Sequence, residues 1–165
     1  MIIKGLVELI GRAEAFLSGI LLGVMVASMG LQIASRIIRG KALAWPEELG
    51  VILLIYSSFL AAGALYKKQA HISVDYFVRR FIPGEKQDLM TRIVWLLSIA
   101  AFLVLLSGGI KGMEYAMKYT SGAVLSFPRG YLRLPLIFMC LSNLFASIVF
   151  LVSPPRETPS GGSIA

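Results

Sequence analysis

Long apolar runs separated by short charged stretches dominate this chain. Four runs lack Lys, Arg, Asp and Glu, at residues 15–35, 49–66, 93–110 and 134–155, and each is at least 18 residues long. A helix rises about 1.5 Å per residue, so about 20 residues cross the roughly 30 Å hydrocarbon layer of a bilayer. Backbone groups in lipid must be paired within their own segment, which selects helices over open strands. The pattern therefore predicts an all-α integral membrane protein with four transmembrane helices.

The runs and their flanking charges define the domain organisation. We place the spans at about 14–36, 47–67, 92–111 and 134–153, within one membrane domain that covers residues 1–152. The first run is too long for the apolar region of a signal peptide, so we interpret it as a retained helix. Residues 153–165 are rich in Pro, Gly and Ser, which predicts a disordered cytoplasmic tail.

The loop between the second and third spans has a pattern of its own. Apolar residues recur at helical spacing across residues 73–82, with Arg79 and Arg80 on the other side and Pro83–Gly84 after them. This pattern predicts a short amphipathic helix that lies in the membrane interface. An ordinary helix that covers its neighbours is the alternative.

Composition and charge agree with a membrane protein. The chain is 57% hydrophobic and only 15% charged, with a formal net charge of +7. Because the basic residues lie at the ends of the spans, phospholipid headgroups rather than nucleic acid are the expected counter-ions. Cys140, the only cysteine, can form no intramolecular disulfide.

The distribution of basic residues predicts an orientation. The N-terminal arm, the second loop and the tail together carry nine Lys or Arg residues, and the first and third loops carry seven. The positive-inside rule then favours cytoplasmic termini and a cytoplasmic second loop.

Polar residues are concentrated near the ends of the spans. Glu47 and Glu48 follow Trp45 and Pro46, where they complement a helix dipole and could pair with Arg36, Arg39 or a partner subunit. His71, four residues before Asp75, is the only histidine; it cannot form a bis-histidine haem site, and a juxtamembrane hydrogen bond or subunit contact is its simplest role. Arg79 and Arg80 are expected to bind lipid phosphates.

The interior of the spans is expected to contain no ionisable residue, with Glu14 at the margin of the first helix. Ion-coupled carriers usually place such residues inside the bilayer. No phosphate-binding loop, nucleophile motif or metal cluster is apparent, so we expect neither an enzyme nor a complete transporter. The small-residue runs Gly19–Gly23–Ala27 and Ala61–Ala62–Gly63–Ala64 predict close helix packing.

The order of these residues resembles the small membrane subunit of tripartite ATP-independent periplasmic (TRAP) transporters, also called the Q or DctQ-like subunit. The resemblance covers residues 10–152, with departures at Pro46 and Tyr131. The residues that carry it are Gln32, Arg36, Trp45, Glu47, Glu48, His71, Val74 and Asp75, followed by Leu125, Phe127–Pro128 and Leu134–Pro135.

The resemblance implies a multi-pass subunit of a bacterial or archaeal inner membrane, of the kind that is not fused to its partner. In that family a large membrane subunit binds sodium and substrate, so no cofactor is expected here and sodium coupling is expected in the partner. A periplasmic protein captures the substrate, often a carboxylate. The small subunit would scaffold the large one and help dock the binding protein, with membrane lipids as further partners.

Contacts with a partner subunit or lipid are accordingly expected at Arg36, Arg39, Trp45, Glu47, Glu48, His71, Asp75, Arg79, Arg80, Arg129 and Arg133. Two alternatives stay open: a self-sufficient dimeric four-helix exporter, which would use Glu14 as its intramembrane carboxylate, and a non-transport membrane assembly subunit.

Overall fold

Four long helices form the described part of the chain, which in this computed structural model comprises residues 2–41, 43–69, 87–121 and 125–152. The helices are α1 (Ile2–Arg39), α2 (Trp45–Gln69), α3 (Gln87–Ala116) and α4 (Leu134–Val152). Each is long and apolar enough to cross a membrane. The predicted four-helix fold is therefore confirmed, whereas the membrane boundaries stay a prediction. The predicted interfacial helix at 73–82 and the tail at 153–165 lie outside the described residues.

The helix ends follow local sequence signals. Gly40 adopts a φ of 66°, and its N–H donates to Arg36 O at 3.1 Å. Glycine adopts this left-handed conformation without steric cost, so Gly40 closes α1. The next helix begins at Trp45, with Pro46 and two glutamates in its first turn. Proline and acidic residues both favour that position.

The two N-terminal helices form an antiparallel hairpin with a narrow contact stripe. Among the α1 side chains that the structure describes, the buried ones are those of Val7, Glu14, Ser28 and Ser35, and their positions differ by multiples of seven. A seven-residue repeat keeps side chains along one seam, as in coiled coils. Helix α2 packs on its other side against α4, which in turn packs against α3.

One end of the bundle contains a buried hydrophobic cluster. At the end that holds Trp95, this residue packs with Val7, Ala146 and Phe150, and Tyr66 meets the Trp95 ring edge-on at 6.5 Å between ring centroids. We call it the Trp95 end, and the opposite end the Trp45 end.

The third loop, of which residues 117–121 and 125–133 are described, caps α3 at the Trp45 end. Two short strands, β1 (Thr120–Ser121) and β2 (Phe127–Pro128), pair antiparallel, and a 3-10 helix (Arg129–Arg133) leads into α4. The N–H of Arg129 donates to Tyr119 O at 2.9 Å. A Cβ on Gly130 would lie 2.7 Å from the Met117 side chain, so only glycine fits there without displacing Met117.

Candidate functional site

A buried ion pair joins the first two helices. The Nζ atom of Lys67 lies 2.7 Å from Oε2 of Glu14, and the side chains are only 3% and 4% exposed. Glu14 is twelve positions inside α1, and Lys67 is near the end of α2. The sequence pattern placed Glu14 at the margin of the first span and Lys67 at the end of the second, and it did not predict that the two side chains are buried and paired.

Helix α4 and the α2 backbone complete the shell around this pair. Lys67 Nζ also donates to Asn143 Oδ1 at 3.0 Å and to Gly63 O at 3.3 Å. Ser142 Oγ donates to Glu14 Oε1 at 2.6 Å. An ammonium has three donors, and all three are used here. The cluster of Glu14, Lys67, Ser142 and Asn143, which we call the polar clamp, thus ties α1, α2 and α4 together.

A second set of hydrogen bonds continues from the polar clamp. Tyr66 Oη and Ser147 Oγ lie 2.7 Å apart, and Ser147 Oγ donates to Asn143 O at 2.8 Å. These bonds connect the clamp with the aromatic contacts of Tyr66, whose ring meets that of Phe102 edge-on. Buried polar groups need such partners because an unpaired one costs free energy in a low-dielectric interior.

Gly63 makes room for the carboxylate of Glu14. A Cβ at this position would lie 3.0 Å from Glu14 Oε2 and 3.4 Å from Met139 Cγ. By contrast, a Cβ on Gly19 or Gly23 would meet nothing within 4 Å in the described chain. Of the two small-residue runs, only the second one packs against another helix of this chain at its glycine.

The contacts of the polar clamp suit a structural role. Its carboxylate is already held by an ammonium and a hydroxyl, and the oxygen atoms around Lys67 Nζ are occupied by that cation. Among the residues that the structure describes, no group of three or more His, Cys, Asp or Glu could hold a metal ion. The arrangement can fix the relative positions of three helices.

The paired glutamates at the start of α2 point to different partners. Gln32 Nε2 of α1 donates to Glu47 Oε2 at 3.4 Å, whereas Glu48 Oε2 accepts the Leu125 N–H of the third loop at 2.8 Å. About two helical turns beyond Glu48, Tyr56 Oη donates to Tyr131 O at 2.8 Å. Tyr119 lies outside the spans, and its hydroxyl is hydrogen-bonded to that of Tyr115. This hydrogen bond raises the pKa of Tyr119, and desolvation raises the pKa further.

The remaining predicted contact residues are distributed over the surface. Arg36 and Arg39 are exposed in the last turn of α1, Trp45 is 36% exposed, and Arg129 is exposed on the third loop. The half-buried Arg133 lies against Gly112, where its guanidinium occupies the space that a Cβ would need. The other four, His71, Asp75, Arg79 and Arg80, lie outside the described residues. Subunit or lipid contact at these positions stays a prediction.

Sequence reasoning missed the polar clamp because charge alone does not reveal which face of a helix looks inward. One signal was present: Glu14 falls on the same seven-residue repeat as Val7 and Ser28, so it lies on the packed stripe. A carboxylate buried at such a position is costly without a cation across the seam, and Lys67 and Lys68 are the two cations at matching depth in α2.

Two known proteins are similar to more than half of this chain. The chain is 28% identical over 102 residues to the sialic acid TRAP transporter permease protein SiaT of Haemophilus influenzae (strain 86-028NP), covering 62% of this chain and 16% of that protein. It is 25% identical over 107 residues to the sialic acid TRAP transporter small permease protein SiaQ of Vibrio cholerae, covering 64% of this chain and 62% of that protein. The matched part is thus less than two thirds of either relative.

A family assignment follows from a longer match. Residues 25–156 match the family described as tripartite ATP-independent periplasmic transporters, DctQ component. This range includes α2, α3 and α4 and residues 25–39 of α1, and it leaves Glu14 outside. The chain belongs to the DctQ family of TRAP transporter small membrane components.

Proposed function

We propose that this chain scaffolds a large membrane subunit in sodium-coupled uptake of a carboxylate and helps dock a periplasmic substrate-binding protein. Family membership already indicates a transport component rather than an enzyme. The proposed location is the cytoplasmic membrane, with both termini in the cytoplasm. Sodium and substrate would bind to the large subunit.

The scaffold role is supported by one observation: the charged groups of the polar clamp are bonded to one another and to neighbouring polar side chains. Carriers that move ions use intramembrane ionisable groups that can exchange partners with water or cargo. In the described helices the buried carboxylate and the buried ammonium bind each other and two further side chains. Such a group stabilises a rigid helix arrangement, as a static support for a moving subunit requires.

The relatives suggest which substrates to test first. Both are named as sialic acid TRAP permease proteins. Sialic acid is a carboxylate, so it belongs at the head of a panel that also contains four-carbon dicarboxylates and sugar acids. Our proposal names the substrate only by its class, a carboxylate.

Co-purification and reconstitution test the proposal together. The chain is isolated from its native membrane in mild detergent, and a large membrane protein is expected to accompany it. Proteoliposomes with both membrane subunits should then accumulate a labelled carboxylate only when the binding protein and an inward sodium gradient are present. Omission of this chain should abolish uptake. Transport by this chain alone, lost in Glu14→Gln, would instead support the self-sufficient exporter.

Charge reversal at Arg129 tests the docking part of the proposal. This residue is exposed on the third loop, whereas Arg133 packs over Gly112 and is a less clean probe. Arg129→Glu is expected to weaken uptake at limiting binding protein while the membrane complex stays assembled. Lys68→Glu, an exposed reversal at the Trp95 end, is the matched control. Equal uptake by the two variants would contradict a docking role for the third loop.

A further inference from the structure

Two side chains of α2 form hydrogen bonds with the third loop. Glu48 binds the loop before β2, through Leu125 N, and Tyr56 binds it within the 3-10 helix, through Tyr131 O. These two α2 residues are eight positions apart, so they lie about 12 Å apart along one face of the helix. Together they span the second half of the loop.

Both bonds are made to backbone atoms of the loop. The Leu125 N–H donates to Glu48, and the carbonyl oxygen of Tyr131 accepts hydrogen bonds from the Tyr56 hydroxyl and from the Leu134 N–H. Backbone anchoring fixes the path of the loop and leaves its side chains free for other contacts. Accordingly, Leu125 and Tyr131 are 39% and 46% exposed, and Arg129 is exposed between them.

Glu47 provides an internal comparison for Glu48. The two carboxylates are adjacent in the first turn of α2, but Glu47 turns towards Gln32 of α1. Glu47 therefore contributes to the α1–α2 hairpin, whereas Glu48 bonds to the third loop.

We propose that Glu48 and Tyr56 are positioning residues that hold the third loop in the conformation that receives the periplasmic binding protein. The inference rests on the proposed function, because it assigns the docking surface to Leu125, Arg129 and Tyr131. A loop held in its bound conformation loses less conformational freedom when the partner arrives. Release of the loop therefore weakens docking and leaves the transport step itself unchanged.

Amide hydrogen exchange tests the anchoring without any transport measurement. In the purified complex of both membrane subunits, Glu48→Ala should raise exchange at Leu125 by about tenfold, since a hydrogen bond to a charged acceptor is lost. Glu48→Gln, which keeps an acceptor oxygen, should retain most of the protection. Glu47→Gln should leave exchange at Leu125 unchanged. Unchanged exchange in Glu48→Ala would overturn the proposal.

Uptake at varied binding-protein concentration tests the consequence. Glu48→Ala and Tyr56→Phe should each raise the half-saturating concentration of binding protein several-fold with little change in the maximal rate, and Ser107→Ala, an exposed change on α3, should not. Increased loop exchange with an unchanged half-saturating concentration would also overturn the proposal, yet leave the subunit assignment intact. Wild-type uptake that needs no binding protein would instead remove the proposed function itself.

Discussion

The Glu14 carboxylate and the Lys67 ammonium each depend on the other for their place in the bundle. Their contact distance is 2.7 Å, and every donor of the ammonium has an oxygen partner. A charge that is buried away from water and unpaired is far more costly than a buried pair. Removal of one partner should therefore be worse than removal of both.

Neutral substitutions of similar size test this dependence. Glu14→Gln and Lys67→Met should each destabilise the protein by about 3–5 kcal/mol, because each leaves an uncompensated buried charge. The double variant should be more stable than either single variant. Thermal denaturation in detergent, followed by size-exclusion chromatography, measures the difference. Glu8→Gln, an exposed carboxylate on the same helix, is the control. A double variant as unstable as the two single losses added together would contradict the coupling.

The residue scale is also where the sequence was least sufficient. The type and order of the polar residues were visible, and Glu14 was already identified as the candidate intramembrane carboxylate at the margin of the first span. Its partner was not, because Lys67 and Lys68 look alike in sequence and only one of them faces the seam. Helix rotation, set by packing against α1 and α4, makes Lys67 buried and leaves Lys68 exposed. Glu48 shows the same limit, since its partner is 77 positions away.

At the scale of elements, glycines that look equivalent in sequence have different surroundings. Gly63 lies against Glu14 and Met139 where α2 meets its neighbours, whereas Gly19 has open space beside it. Spacing predicted both runs as packing surfaces, and only tertiary structure separates them. Helix ends were more predictable, because Gly40, Pro46 and the first-turn glutamates act through local geometry.

Alanine substitution distinguishes these two glycines. Gly63→Ala should destabilise the protein by about 1–3 kcal/mol, because the added methyl group displaces the Glu14 carboxylate from a packed site. Gly19→Ala should be neutral or stabilise by up to about 1 kcal/mol through helix propensity. Thermal midpoints of the two variants, measured in the same detergent, give the comparison. A larger loss at Gly19 than at Gly63 would place the important helix contact elsewhere.

For the whole molecule, the hydrophobic pattern predicted the number of helices because each span must satisfy its own backbone in lipid. The same pattern contains no information on neighbours. The arrangement in which α2 and α4 are central and α1 and α3 lie outside depends on the polar clamp and on the seam between α1 and α2. Orientation in the membrane was only partly predictable, because the basic residues favour one orientation by a small margin.

The orientation can be tested with introduced cysteines, because the single native one is fully buried. Cys140 is 0% exposed, so its background reaction with a thiol reagent should be small. Lys41→Cys and Lys118→Cys place exposed thiols at the Trp45 end, and Lys68→Cys places one at the Trp95 end. If the termini are cytoplasmic, a membrane-impermeant maleimide added to intact spheroplasts should label positions 41 and 118 and spare position 68. Permeabilisation should then expose position 68, which controls for its reactivity. The opposite labelling pattern would invert the protein and place the third loop, with its proposed docking surface, on the cytoplasmic side.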